Sequence, residues 1–146
     1  MSQPIPIMIF KNRGAMQVSF SPASKDDNGY DKPGGVFIRM MDSDGSGGKK
    51  YNWDSGTSIF LAANELGLLL SFFKNRKGTI YHDPDKGKAN EGTRSKSLNI
   101  SEGQNGTLFV NMNVKDKKHS VSLTPGEIIQ LEVMIGTALS KAYNWA

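Results

Sequence analysis

The sequence predicts an α+β domain with antiparallel sheets, in which four strands and a helix are followed by four more strands and a second helix, ββββα-ββββα. Three observations predict this. Apolar residues alternate with polar ones, or form short apolar runs, in eight segments. The period becomes helical twice, after Ala62 and after Thr124. Clusters of glycine, proline, aspartate and serine separate the segments, and the 16 glycines and 6 prolines imply many turns. The two halves share an architecture without a convincing repeat of sequence. The 146 residues suffice for one domain, 1–146, with a real core.

IPIMIFKN is the first strand, and AMQVSFS the second, with Met16, Val18 and Phe20 on one face. The polar stretch PASKDDNGYDKPG is a loop by composition. GVFIRMM is the third strand, placing Val36, Ile38 and Met40 on one side and Phe37, Arg39 and Met41 on the other. DSDGSGGKK is a hairpin connection, and KYNWDSGTSIFL brings the chain back. Leu66, Leu69, Leu70 and Phe73 then fall at helical spacing, predicting a helix from Ala63 to Phe73 whose start at Ala62 has no side-chain acceptor. KGTIYHDP is a strand ended by Pro84, and DKGKANEGT an exposed loop. RSKSLNIS, TLFVNMNVKD and KHSVSL complete the strands, with EGQNG as a tight turn between the first two. The last helix is the clearest. Thr124 is a good N-cap, Pro125 suits the first helical position and Glu127 completes a capping box. Ile128, Leu131, Ile135, Ala138, Leu139 and Ala142 line one face of a helix running from Pro125 to Tyr143.

Composition excludes several chemistries. With no cysteine, disulfides, thiolate zinc sites and a cysteine nucleophile are ruled out. The two histidines, His82 and His119, lack the surroundings of a hydrolytic triad, and HDPD lacks the spacing of a zinc motif, so a hydrogen-bonded turn is expected there. DSDGSGGKK has no glutamate at the twelfth position of a calcium loop. It also fails as a phosphate-binding loop, because Lys50 follows Gly48-Lys49 where serine or threonine is required. No enzyme, cofactor or metal site is predicted. No apolar run is long enough to cross a bilayer, and MSQPIPIMIF lacks the basic start and cleavage site of a signal peptide. A soluble protein is expected, from a bacterial or phage cytoplasm or processed in an organelle.

The net charge of +4 is unevenly spread. Between Lys74 and Lys96 there are seven lysines and arginines against three acidic residues, a surplus equal to that of the whole chain. Such a patch suits a polyanion, and equally suits a solvated loop that keeps the protein dissolved.

Aromatic residues on polar faces carry more information. Leu108, Val110, Met112 and Val114 form an ordinary core face, while Phe109 shares the opposite face with Asn111, Asn113 and Lys115. Phe37 beside Arg39 repeats the pattern, and Tyr51 and Trp53 share one face directly after Lys49 and Lys50. This combination fits single-stranded nucleic acid. An aromatic ring stacks on an unpaired base for roughly 1–3 kcal/mol, lysine and arginine neutralise the phosphates, and Asn111 and Asn113 suit base edges without demanding one sequence. Duplex DNA hides the faces of its bases. The same pattern also fits a sheet covered on both sides, with Phe37 and Phe109 at a subunit interface and Trp53 buried.

KYNWD, ANELGLLLSF, YHDP, EGTRSKSLNI and SLTPGEIIQLEVMIGTAL…NW occur in the order and with the spacing of the Whirly proteins of plants, and the chain resembles that family over nearly its whole length. KNRGAM, Lys11 to Met16, sits where the family carries Lys-Gly-Lys-Ala-Ala-Leu; charge is kept at Lys11 and Arg13, while Asn12, Gly14 and Met16 depart from the motif. The segment Ser24 to Gly34 belongs to this chain alone. The resemblance implies two antiparallel four-stranded sheets with helices, a fold shared with PC4-like transcription coactivators and kinetoplastid guide-RNA-binding proteins. It also implies a homotetramer that binds single-stranded DNA with little sequence preference in replication, recombination or repair. An RNA-binding or annealing protein, a coactivator of the same fold and a purely structural oligomer are the alternatives. The candidate stacking groups are Phe37, Tyr51, Trp53, Phe60, Tyr81 and Phe109. The candidate phosphate contacts are Lys11, Arg13, Arg39, Lys49, Lys50, Lys86, Lys88, Lys96 and Lys115, with Asn111 for base edges.

Overall fold

Alternating side chains and turn residues divide the first half of the chain into short pairing segments. The computed structural model describes residues 4–43, 50–52, 54, 56–84, 87, 89, 95–115 and 117–145. In chain order the first strands are β1 (Ile7–Phe10), β2 (Gly14–Ser21), β3 (Ser24–Lys25), β4 (Asp31–Lys32), β5 (Gly35–Asp42) and β6 (Thr57–Ala62). The helix α1 (Ala63–Asn75) follows, then β7 (Gly78–His82), β8 (Lys96–Glu102), β9 (Leu108–Val114), β10 (Lys117–Leu123) and α2 (Pro125–Ala142). They form two four-stranded antiparallel sheets, ordered β1-β2-β5-β6 and β10-β9-β8-β7, and a two-stranded ribbon, β3-β4.

The ribbon corrects the reading of Ser24 to Gly34 as plain loop. Lys25 pairs with Asp31 across it through backbone register and side-chain charge. The Asp26 carboxylate accepts the backbone N–H groups of Asn28 and Tyr30, both at 2.9 Å, so polar residues that look like loop build their own turn. The return strand is also shorter than KYNWDSGTSIFL suggests: Tyr51 makes only an isolated bridge to Ser43, and β6 begins at Thr57.

Register stacks apolar residues in rows across each sheet. Val18, Ile38 and Ile59 form one row of the first sheet, and Ile80, Leu98, Met112 and His119 one row of the second. These inward faces join Leu66, Leu69 and Phe73 of α1 and Ile128, Leu131, Ile135 and Ala138 of α2 in one hydrophobic core. α1 runs two residues beyond Phe73 and ends at Arg76, whose φ of 64° turns the chain left-handed. Its start is capped after all, because Glu65 Oε1 accepts the Ala62 N–H at 3.1 Å. α2 has the predicted capping box: Thr124 Oγ1 accepts the Glu127 N–H at 3.2 Å and Glu127 Oε1 accepts the Thr124 N–H at 2.9 Å.

The two sheets meet where β10 packs against β2 and β5. A Cβ on Gly14 would lie 2.8 Å from the Met41 carbonyl oxygen on the paired strand β5, so the missing side chain permits that close pairing, and 3.5 Å from the Ser120 carbonyl of β10, an ordinary contact. The meeting of the sheets buries Met41 and Ala15, which the alternation of GVFIRMM and AMQVSFS places on outward faces. His119 ties the joint. Its ring is buried, with Nδ1 3.0 Å from Asp42 Oδ1 and Nε2 3.1 Å from Thr57 Oγ1. A carboxylate only accepts, so Nδ1 carries a proton and donates to Asp42, and the Thr57 hydroxyl, which can donate or accept, satisfies Nε2.

Candidate nucleic-acid interface

The core takes one side of each strand and leaves the other to solvent. On the outward face of the first sheet, Met8, Gln17, Arg39 and Ser58 form one row and Ser19, Phe37 and Phe60 the next. Phe37 and Phe60 are cross-strand neighbours with ring centroids 4.8 Å apart and planes inclined by 48°. Phe37 is 44% exposed and Phe60 half-buried, so the pair is a supported aromatic platform rather than core.

The outward face of the second sheet is polar. Ser120 Oγ donates to Asn111 Oδ1 at 2.7 Å, Asn111 Nδ2 to Asn99 Oδ1 at 3.3 Å, and Asn99 Nδ2 to Thr79 Oγ1 at 2.9 Å. Four side chains on four strands thus form one directional ladder. A second row runs Lys118, Asn113, Ser97 and Tyr81, with Asn113 Nδ2 3.4 Å from Ser97 Oγ. Phe109 stands in the row beside the ladder, between Ser122 and Ser101, and is 40% exposed; Tyr81, on the edge strand, is 61% exposed. An amide has two N–H groups and two carbonyl lone pairs, so Asn111 in the ladder retains half of its capacity for a ligand.

Two recesses flank these faces. One, of about 500 Å³, lies between the β1–β2 turn and β9–β10; it holds Arg13, Phe109, Lys118, Ser120 and Ser122 beside Asp42. The other, of about 610 Å³, lies between β6 and β7 and is lined by Phe60, Tyr81, His82, Lys96 and Glu65. Each sets an aromatic wall beside a cation, the arrangement that suits a base and its phosphate.

The structure separates the predicted cations. Lys11 is half-buried and its Nζ lies 2.7 Å from Glu127 Oε1, so it pins the β1–β2 turn to the start of α2. Burial raises the Glu127 carboxyl, but the Lys11 hydrogen bond and charge and the Thr124 contacts outweigh it and hold the group below the usual glutamate range. Lys96 Nζ donates to the Ser58 carbonyl at 2.6 Å and bridges the two sheets at the second recess. Arg13 and Lys50 are exposed, and Arg39 is half-buried between Gln17 and Ser58. Lys115 does not continue the Phe109 face: β9 ends at Val114, and Lys115 turns the chain with a φ of 51°. Tyr51 is half-buried against Phe10, centroids 5.4 Å apart, and its hydroxyl donates to the Lys11 carbonyl at 2.7 Å. Lys49, Trp53, Lys86 and Lys88 lie outside the described residues. Lys118, Ser120, Asn99 and His82 were not among the predicted contacts. The alternation of KHSVSL would have found the first two, since Lys118, Ser120 and Ser122 oppose His119, Val121 and Leu123.

Residues 9–143 match the model of a family described as the Whirly transcription factor. The chain is 24% identical over 152 aligned residues to the mitochondrial single-stranded DNA-binding protein WHY2 of Arabidopsis thaliana, an alignment covering 96% of this chain and 63% of that protein. The chain thus spans somewhat under two thirds of that relative's length. Among solved structures, WHY1 from Arabidopsis thaliana superposes with a TM-score of 0.82 at 24% identity, covering 97% of this chain and 92% of that one. WHY3 from the same plant gives 0.79 at 20% identity, covering 99% and 92%. These likenesses confirm the α+β fold of antiparallel sheets and two helices. The family is one of DNA-binding proteins rather than of enzymes, and this chain belongs to it: it is a Whirly protein.

Proposed function

We propose that this protein binds single-stranded DNA with little sequence preference, laying unpaired bases on the outward faces of its two four-stranded sheets. The observation that carries the reading is the pairing of solvent-facing rings with cations at both recesses: exposed Phe109 with Arg13 and Lys118, half-buried Phe60 and exposed Tyr81 with Lys96. Its similarity to plant proteins named for single-stranded DNA binding supports the same activity. The contacts reach faces and edges that every base presents, which suits sequence tolerance. Protection of exposed strands during replication, recombination or repair follows from such binding. A homotetramer is part of the proposal. Ile129 and Val133, one turn apart on α2, are 62% and 61% exposed, and Trp145 beyond the helix is 86% exposed, an apolar surface suited to further copies. Among the described residues no helix is long and apolar enough to cross a membrane.

Fluorescence anisotropy of a labelled oligo-dT, against a duplex of the same length and an RNA oligonucleotide, tests the reading. Oligo-dT is expected to bind tightest, with affinity falling as salt rises by a log–log slope of about 0.7 per phosphate contacted. Equal binding of duplex would overturn the stacking mechanism, and tighter binding of RNA would move the function to that polymer.

A further inference from the structure

The motif His82-Asp83-Pro84 has no role in the binding surface as described so far, yet His82 lines the recess between β6 and β7. Its Nε2 lies 2.6 Å from Glu65 Oε2. The other Glu65 oxygen accepts the Ala62 N–H at the start of α1, so the carboxylate accepts on both sides and is fixed to the helix. In the neutral imidazole this contact selects the tautomer with its proton on Nε2, which leaves Nδ1 with a lone pair. Among the described residues, Glu65 is the hydrogen-bond partner found for the His82 ring, and the side chain is 31% exposed. Lys96 stands directly opposite His82 in the sheet register, and its ammonium spans to Ser58 on β6. Phe60 continues the platform begun by Phe37, so the recess is continuous with the aromatic face of the first sheet.

We propose that this recess is a nucleobase pocket in which a base lies between Phe60 and Tyr81 while His82 Nδ1 accepts an N–H from its Watson–Crick edge. The proposal rests on the single-strand reading and gives it a selection rule. Each of the four bases carries at least one N–H on that edge: the exocyclic amino group of adenine and cytosine, N1–H of guanine, N3–H of thymine. One fixed acceptor therefore suits every base. In a duplex those hydrogens are engaged in pairing, so the same acceptor rejects paired bases. Sequence tolerance and strand discrimination then share one atom, and Glu65 is the positioning residue that keeps it an acceptor.

The test uses oligo-dT and the same oligonucleotide built from N3-methylthymine, which stacks as well but has no N3–H. Both are titrated into the full chain at a pH that keeps the imidazole neutral. The wild-type protein is expected to bind the methylated strand roughly three- to tenfold more weakly, the loss of one hydrogen bond. His82→Ala should bind the two strands equally. In the unmodified protein, the nitrogen NMR signal of His82 Nδ1 should move on adding oligo-dT and stay in place with the methylated strand; this measurement does not depend on a variant folding. Equal wild-type affinity for both strands, discrimination that persists in His82→Ala, or an unmoved Nδ1 signal with oligo-dT bound would each overturn the pocket. These results leave the proposed function standing, whereas failure to bind oligo-dT at all would overturn that function.

Discussion

The two four-stranded sheets share a topology and a core, but their outward faces use different chemistry. The first presents a tilted pair of phenylalanines, Phe37 and Phe60, beside Arg39. The second presents the ladder Ser120, Asn111, Asn99 and Thr79, with Phe109 to one side. A ring offers a ligand stacking energy without directional demand. A ladder of amides and hydroxyls offers fixed donors and acceptors, each already oriented by its neighbour and costing little to order on binding. The contrast teaches that, on the proposed reading, the first face contributes stacking alone while the second adds fixed polar contacts beside its ring.

Three variants sharpen or break that contrast. The largest effect is expected on strand affinity from Phe37→Ala combined with Phe109→Ala. Each ring is worth roughly 1–3 kcal/mol, and rings on different sheets should add. Anisotropy with oligo-dT reads the loss, while an unchanged circular dichroism spectrum shows the fold is intact; an unaltered affinity would remove the platforms from the account. Asn111→Ala comes next. It leaves Ser120 and Asn99 without their partner, and a loss of about 1 kcal/mol in urea unfolding is expected. No change would mean that water replaces the ladder at no cost. Glu127→Gln is the smallest and separates structure from binding. Because Lys11 and Thr124 hold the Glu127 carboxyl below its unfolded value, its contribution to stability is present at neutral pH. That contribution is lost as the pH falls through the depressed folded value. Urea midpoints of the two proteins should therefore differ at pH 7 and converge as the pH falls below the depressed folded value.

Periodicity made most of the fold legible: the segments it marks contain the strands of both large sheets and the two helices, although β6 begins only at Thr57 and the short strands β3 and β4 stand between β2 and β5. What it missed was set by packing between elements. Met41 obeys the period of its strand, but β10 covers that end of the sheet and buries it. Lys115 sits in phase with Phe109, but a left-handed turn carries it out of the strand. The β3–β4 ribbon is made of residues that favour turns, and only Asp26 and the Lys25–Asp31 pair organise them. For the candidate site, rings were legible because an aromatic on a polar face is conspicuous. Cations were less so, since charge does not say whether a lysine faces solvent or, like Lys11, a carboxylate 116 residues away. The ladder was invisible because it depends on cross-strand register, which no single strand encodes.

The central claim is that unpaired bases lie on these two outward faces. Oligo-dT carrying 5-iodouracil at successive positions, irradiated in complex with the full chain and mapped by mass spectrometry, tests it most directly. Cross-links are expected on Phe37, Phe60, Tyr81 and Phe109. Cross-links confined to the exposed side of α2, at Ile129, Val133 and Met134, would contradict the account.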